Sequence, residues 1–103
     1  ECVIDGDTIR LRGATIRLAD INAPETKSAK CRTERELGRQ ATERLRALLN
    51  AGPFTLARAG ARDIDKYGRK LRILRRDGRS LGDVPVTEGL ARRWTGRRRG
   101  WCG

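Results

Sequence analysis

The sequence contains no histidine and no methionine, and only four of its 103 residues are aromatic: Phe54, Tyr67, Trp94 and Trp101. Without histidine there can be no Ser-His-Asp or Cys-His nucleophile pair and no His-ligated zinc site. Any chemistry must therefore run on carboxylates, Arg, Lys, Tyr or Cys. Scarce aromatics imply a small aliphatic core, and a chain of this length has material for one such core, not two. No apolar run approaches the roughly 20 residues needed to cross a bilayer, so no part of the sequence reads as a membrane span. There is no CxxC pair and no internal repeat. Lysine is scarce as well, with Lys27, Lys30, Lys66 and Lys70 set against twenty arginines.

What the chain has instead is positive charge. Its formal charge is +11 and its pI about 11.1, so a polyanion is the expected partner. Arg in place of Lys adds a planar fork that grips phosphate oxygens in pairs. Three cysteines, Cys2, Cys31 and Cys102, allow one disulfide with a free thiol, or three free thiols. The sequence opens at Glu1, and this leads to the expectation of a removed leader and of a secreted or periplasmic protein, with a cytoplasmic one as the alternative.

Periodicity gives the elements. Cys2-Val3-Ile4, Thr8 to Leu11 and Thr15 to Leu18 are short β-prone runs separated by Asp5-Gly6-Asp7 and Arg12-Gly13-Ala14, the pattern of a three-stranded meander. Ala23-Pro24 ends the extended region. Leu37, Ala41, Leu45, Leu48 and Leu49 recur at helical spacing, which predicts an amphipathic helix from Glu34 to Asn50. Thr33 and Glu36 fit a capping box at its start, and Gly52-Pro53 closes it. Phe54 to Ala59 and Leu71 to Leu74 read as a fourth and fifth strand, the latter turning at Asp77-Gly78. Val84 to Glu88 suits one or two helical turns if Pro85 lies in the first. From Arg92 the chain is rich in Arg and Gly with two Trp, and reads as a loose tail.

Three short motifs carry oxygen ligands or anion-binding groups. Asp5-Gly6-Asp7-Thr8 sets two carboxylates and a hydroxyl around a Gly bend, a source of hard ligands for Ca2+ or Mg2+. Arg17-Leu18 is followed by Pro24-Glu25, with Arg17 and Glu25 eight positions apart. Asp65-Lys66-Tyr67-Gly68-Arg69-Lys70-Leu71 gathers cations and one aromatic around a Gly, as a phosphate-and-base site requires. Taken singly, each is also what an ordinary turn looks like.

In this order and spacing, with Asp77-Gly78-Arg79-Ser80-Leu81-Gly82 and Glu88-Gly89-Leu90-Ala91 following, the motifs resemble the staphylococcal nuclease-like family over roughly Val3 to Ala91. The resemblance implies an α+β domain, a five-stranded OB-type Greek-key β-barrel with packed helices. It would form a single domain over 1–103 with an Arg/Gly/Trp-rich tail at 92–103. The implied activity is Ca2+-dependent hydrolysis of phosphodiester bonds in DNA or RNA by a monomer, with single strands favoured and no membrane partner.

By position, Asp7, Asn22, Ala23 and Glu25 correspond to the metal-ligand set, with Ala23 contributing backbone oxygen. Glu25 corresponds to the general base, Arg17 and Arg69 to the pair on the scissile phosphate, and Lys66 and Tyr67 to the nucleotide pocket. The family carries an aspartate where this chain has Asn22, which keeps an oxygen but removes a charge. Asp20, two residues earlier on the same strand face, is a candidate to replace it. Strict alternation puts Arg17 on the opposite face, so a bend between Arg17 and Asn22 is required. That single departure keeps a second function open, a nucleic-acid-binding OB module without catalysis.

The resemblance also places Cys31 in the loop after Glu25 and Cys102 in the segment after Gly89-Leu90-Ala91, both flanking the pocket. It therefore implies a Cys31–Cys102 disulfide, with Cys2 as a small buried hydrophobe. Three reduced thiols would be the cytoplasmic alternative.

Overall fold

A computed structural model describes residues 2–103. Its element order is β1 (Cys2–Asp5), β2 (Thr8–Leu11), β3 (Ala14–Leu18), β4 (Ile21–Asn22), α1 (Arg32–Asn50), β5 (Thr55–Arg58), β6 (Lys70–Arg76), β7 (Arg79–Ser80), α2 (Asp83–Thr87) and β8 (Arg92–Arg93). Five principal strands run in the order β1-β2-β3-β6-β5, with β7 added to β6 and β4 paired separately with β8. All pairs are antiparallel except β3 with β6. This is the α+β, OB-type arrangement of a mixed sheet with helices packed on it.

Local chemistry explains the turns. Arg12 and Gly13 both have positive φ, 53° and 81°, the twist that a tight hairpin between right-twisted strands needs. Gly6 has a different task. A Cβ there would stand 2.6 Å from the Ala41 methyl of α1 and 2.9 Å from that of Ala23, so its lack of a side chain lets the first hairpin lie on the helix. Ile9, Ile16, Leu18 and Leu74 from the sheet, Ile21 from β4, Ala41 and Leu45 from α1 and Leu81 form the aliphatic core.

Helix α1 starts two residues earlier than its pattern predicts, and Thr33 is not its cap. Cys31 is, its sulfur accepting from the Glu34 amide at 3.3 Å. The capping spacing is the same i, i+3 but slides toward the N-terminus, because the Cys31 backbone is extended and fixed by its bridge. At the other end Arg76 of β6 donates to the carbonyls of Leu48, Gly52 and Pro53 at 2.9, 2.6 and 2.8 Å. Those bonds satisfy the carbonyl end of a helix that has no basic residue in its last turn. Helix α2 holds Pro85 in its first turn and ends at Gly89, whose φ is +78°.

The tail is not loose. β8 pairs with β4, the Trp94 amide donates to the Asp20 carbonyl at 2.9 Å, and Arg92 donates to the carbonyls of Arg99 and Gly100 at 3.1 and 2.9 Å. The same guanidinium sits 3.8 Å from the centre of the Trp101 ring. Cys102 is bridged to Cys31 across 71 residues, with 6.1 Å between their Cα atoms. Cys2, by contrast, is free and exposed. It occupies the outward face of β1, alternating with half-buried Val3, which corrects its assignment to the core.

Closing so long a loop stabilises the chain by about 4 kcal/mol in the chain-entropy model. Thermal unfolding in the presence of a dithiol is expected to show that loss. An unchanged midpoint with both thiols alkylatable would contradict it.

Candidate active site

The bend that strict alternation demanded lies at Ala19 and Asp20, a turn that interrupts the extended chain between β3 and β4. Arg17 is built into its inner side. Its Nη1 donates to the carbonyl of Leu18 and, at 2.8 Å, to that of Ile21, and its Nη2 lies 3.5 Å from Asn22 Oδ1 and 3.6 Å from Asp7 Oδ2. Arg17 is only 7% exposed, so this charge is held by carbonyls and one carboxylate in place of water. Asp20 points elsewhere: its Oδ2 accepts from the Ser80 hydroxyl. It therefore does not replace the charge missing at Asn22.

Asp7 is the centre of the acidic half. Its Oδ1 accepts from the Thr8 hydroxyl at 2.9 Å and its Oδ2 from the Ala23 amide at 2.8 Å, which ties the first hairpin to β4. Ala23 thus meets Asp7 through its N–H. Asp5 accepts from the Thr26 hydroxyl at 2.9 Å. Burial raises the Glu25 carboxyl above its ordinary range, and the charges of Asp5 and Asp7 push it further, against the pull of Arg98. Asp5 is raised for the same reasons, burial first and Asp7 among the others. Among the described residues no three Asp, Glu, His or Cys side chains form a metal-binding group. The oxygen donors nearest that role are Asp7, Glu25 and the amide of Asn22. Their chemistry fits a hard cation, since both Asp7 oxygens retain lone pairs after their one short bond each.

The backbone at Glu25 is fixed from α1. Glu34 is 6% exposed, and its two oxygens accept from the amides of Glu25 and Lys30 at 3.0 and 2.9 Å. Burial alone would raise Glu34, but those amides, with Lys30 and Arg98 nearby, hold it below the usual carboxylate range. Gly38 completes the seat: a Cβ at that position would stand 2.4 Å from the Glu25 carbonyl oxygen.

Beside this corner opens a cleft of about 790 Å³ lined by Arg17, Asp65, Lys66, Tyr67, Arg69, Trp94 and Arg98 among others. Asp65 shapes its far wall, accepting from the Tyr67 and Arg69 amides at 2.9 Å each and from Arg69 Nε at 2.7 Å. Tyr67 is 71% exposed, with Lys66 and Arg69 each within 5.3 Å of its ring centre. Trp94 lies 5.8 Å from the Arg17 guanidinium.

Burial works against the Asp65 carboxylate, but the bonds from Arg69 and Tyr67 outweigh it and lower its pKa. Loop order drawn from Asp65 is therefore complete above about pH 4, the unfolded value, and is lost as pH falls through the lower folded value. Amide exchange at Tyr67 and Arg69 is expected to accelerate only in that acidic window, and Asp65→Ala should remove the protection at neutral pH. Parental protection in Asp65→Ala would refute the role.

The structure thus gathers Asp7, Arg17, Asn22 and Ala23 in one bonded corner, sets Glu25 beside it, and lines the adjoining cleft with Lys66, Tyr67 and Arg69. Sequence reading missed Glu34, Trp94 and Arg98. Glu34 carried a signal, its i+3 spacing from Cys31. Trp94 and Arg98 carried none, because they reach the cleft only through the fold of the tail.

A family model described as staphylococcal nuclease homologue matches residues 15–100. Two curated proteins of Bacillus subtilis (strain 168), endonuclease YncB and the SPbeta prophage-derived endonuclease YokF, are each 36% identical over 93 residues. The match covers 86% of this chain, 44% of YncB and 31% of YokF. Endonuclease YhcR of the same strain is 31% identical over 99 residues, covering 86% of this chain and 8% of that protein. The chain spans less than half the length of these relatives.

Proposed function

The chain belongs to the staphylococcal nuclease homologue family, and from that premise we propose that it hydrolyses phosphodiester bonds in DNA or RNA, with single strands favoured. The observation that carries this reading is the pairing of two like-charged clusters across one corner. On the acidic side burial raises Asp5 and Glu25, the charge of Asp7 pushes both further, and that of Asp5 adds to the rise at Glu25. On the basic side burial lowers Arg17, Asp7 opposes that shift, and Arg69 and Arg98 add to it. A cation relieves the first cluster and a phosphate the second, so the corner suits a metal ion and a phosphodiester together. No helix is long and apolar enough to cross a membrane among the described residues.

In this mechanism Glu25 accepts a proton from water as the water attacks phosphorus, while the bond from phosphorus to one ester oxygen breaks and that oxygen leaves as a hydroxyl, taking its proton from solvent. Its raised basicity suits that task, and no histidine competes for it. Arg17, whose Nη1 is committed to Leu18 and Ile21 while its Nη2 makes only long contacts to Asn22 and Asp7, has Nε and the weakly held Nη2 for a phosphate oxygen. Arg69, oriented by Asp65, supplies the second fork for the charge that develops on the equatorial oxygens. Lys66 and Tyr67 hold the neighbouring nucleotide, Tyr67 by stacking. Ca2+, held by Asp7 and Asn22 with Glu25 and backbone oxygen of Ala23, would supply Lewis-acid stabilisation of the phosphoryl group. The Cys31–Cys102 bridge supports an oxidising compartment, secreted or periplasmic.

A second reading, nucleic-acid binding without cleavage, is favoured by one observation, the neutral amide of Asn22 in the ligand set. Digestion of a labelled single strand with Ca2+ and with EDTA separates the two. Cleavage that EDTA abolishes is expected, and tight binding with no cleavage would favour the second reading. Asn22→Asp is expected to restore ligand charge and shift half-saturating Ca2+ downward. An unchanged Ca2+ dependence would place the ion elsewhere.

A further inference from the structure

Arg98 stands at the mouth of the cleft, its Nη2 3.4 Å from Glu25 Oε1, with its side chain 61% exposed. An ion pair so open to water contributes little, too little to hold a flexible arginine beside Arg17 and Arg69, which repel it. The backbone holds it instead. On one side of Arg98 the Trp94 amide is bonded to Asp20. On the other, Arg92 grips the Arg99 and Gly100 carbonyls and Cys102 is bridged to the cap of α1. The bridge also sets the Cys102 sulfur 3.8 Å from Glu34, the carboxylate that fixes the Glu25 backbone.

We propose that Arg98 is a third phosphate-binding guanidinium of this site, delivered by the tail that the Cys31–Cys102 bridge anchors. In the free protein it rests on Glu25. A substrate phosphate offers two oxygens to its fork and draws it off, which leaves the Glu25 carboxylate free to accept a proton. This inference rests on the nuclease reading of the site and adds a substrate contact to it.

The test is fluorescence anisotropy of a labelled oligodeoxythymidylate ten-mer in EDTA over a salt series, with cleavage of the same oligonucleotide in Ca2+ measured in parallel. Arg98→Ala is expected to weaken binding about tenfold at low salt and to flatten the log K against log salt slope by about 0.7, one phosphate contact on a single strand. Arg98→Lys should recover the slope. The equal-charge change Arg97→Ala, at an exposed neighbour, should cost less than either.

Cys31→Ser/Cys102→Ser keeps an oxygen cap on α1 while releasing the tail. It is expected to match the loss in Arg98→Ala, with no further loss when the changes are combined. Parental affinity and slope in Arg98→Ala would overturn the assignment. Faster cleavage by Arg98→Ala would also overturn it, showing an inhibitory clamp, and additive losses would overturn the role of the bridge. If the parent binds but does not cleave, the nuclease reading falls and the Arg98 contact is still judged by the binding arm.

Discussion

Glu25→Gln is expected to lower turnover by about 10²- to 10⁴-fold, the usual range for removal of a general base, with oligonucleotide affinity nearly intact. The substitution is nearly isosteric, and it leaves undisturbed the backbone bond from the Glu25 amide to Glu34. The effect should therefore fall on kcat, not on binding or folding. Glu25 is also the residue on which Arg98 rests, so Gln frees that guanidinium and should, if anything, tighten the strand. Single-turnover cleavage and anisotropy on the same variant check both halves. Parental turnover would remove Glu25 from the chemistry.

Arg17→Ala is expected to damage both fold and activity. It strips partners from the Leu18 and Ile21 carbonyls and from the 9%-exposed carboxylate of Asp7. Removing one member of a buried charge pair costs about 3–5 kcal/mol, a large share of the 5–15 kcal/mol that typically separates folded from unfolded states. Arg17→Lys should keep more of the stability but little of the turnover, because a single ammonium cannot brace the turn and fork a phosphate at once. Urea unfolding together with cleavage rates distinguishes the roles. Parental stability in Arg17→Ala would contradict the placement of this side chain.

The hairpins and α1 were legible because their signals are local. Alternating β-prone runs broken by Asp-Gly and Arg-Gly, and leucines at helical spacing, each act within a few residues. The bend between Arg17 and Asn22 was not legible, since Ala19-Asp20 contains neither Gly nor Pro, and what holds it is a side chain from the preceding strand. The helix cap was misplaced by two residues for a related reason. Thr33 is the better cap by residue type, but the bridge and the Lys30 and Glu25 amides select Cys31 and Glu34. The tail misled most. Its Arg and Gly content reads as unstructured, and its order depends on Cys31 and Asp20, which are remote in sequence. In the site, the motifs pointed to Asp7, Arg17, Asn22, Glu25, Lys66, Tyr67 and Arg69 only through the family resemblance that their joint order and spacing carry, since each motif alone reads as an ordinary turn. Arg98 and Trp94 depend on that tail and were out of reach.

The proposed site requires that one corner of this small domain hold Ca2+ on its carboxylates and a phosphate on the guanidinium groups beside them. A crystal grown in millimolar Ca2+ and measured for anomalous scattering tests it most directly. The expected peak is bounded by Asp7, Asn22 and Glu25, with oxygen ligands at about 2.3–2.6 Å. A Ca2+-dependent enzyme whose only peak lies away from Asp7 would contradict it.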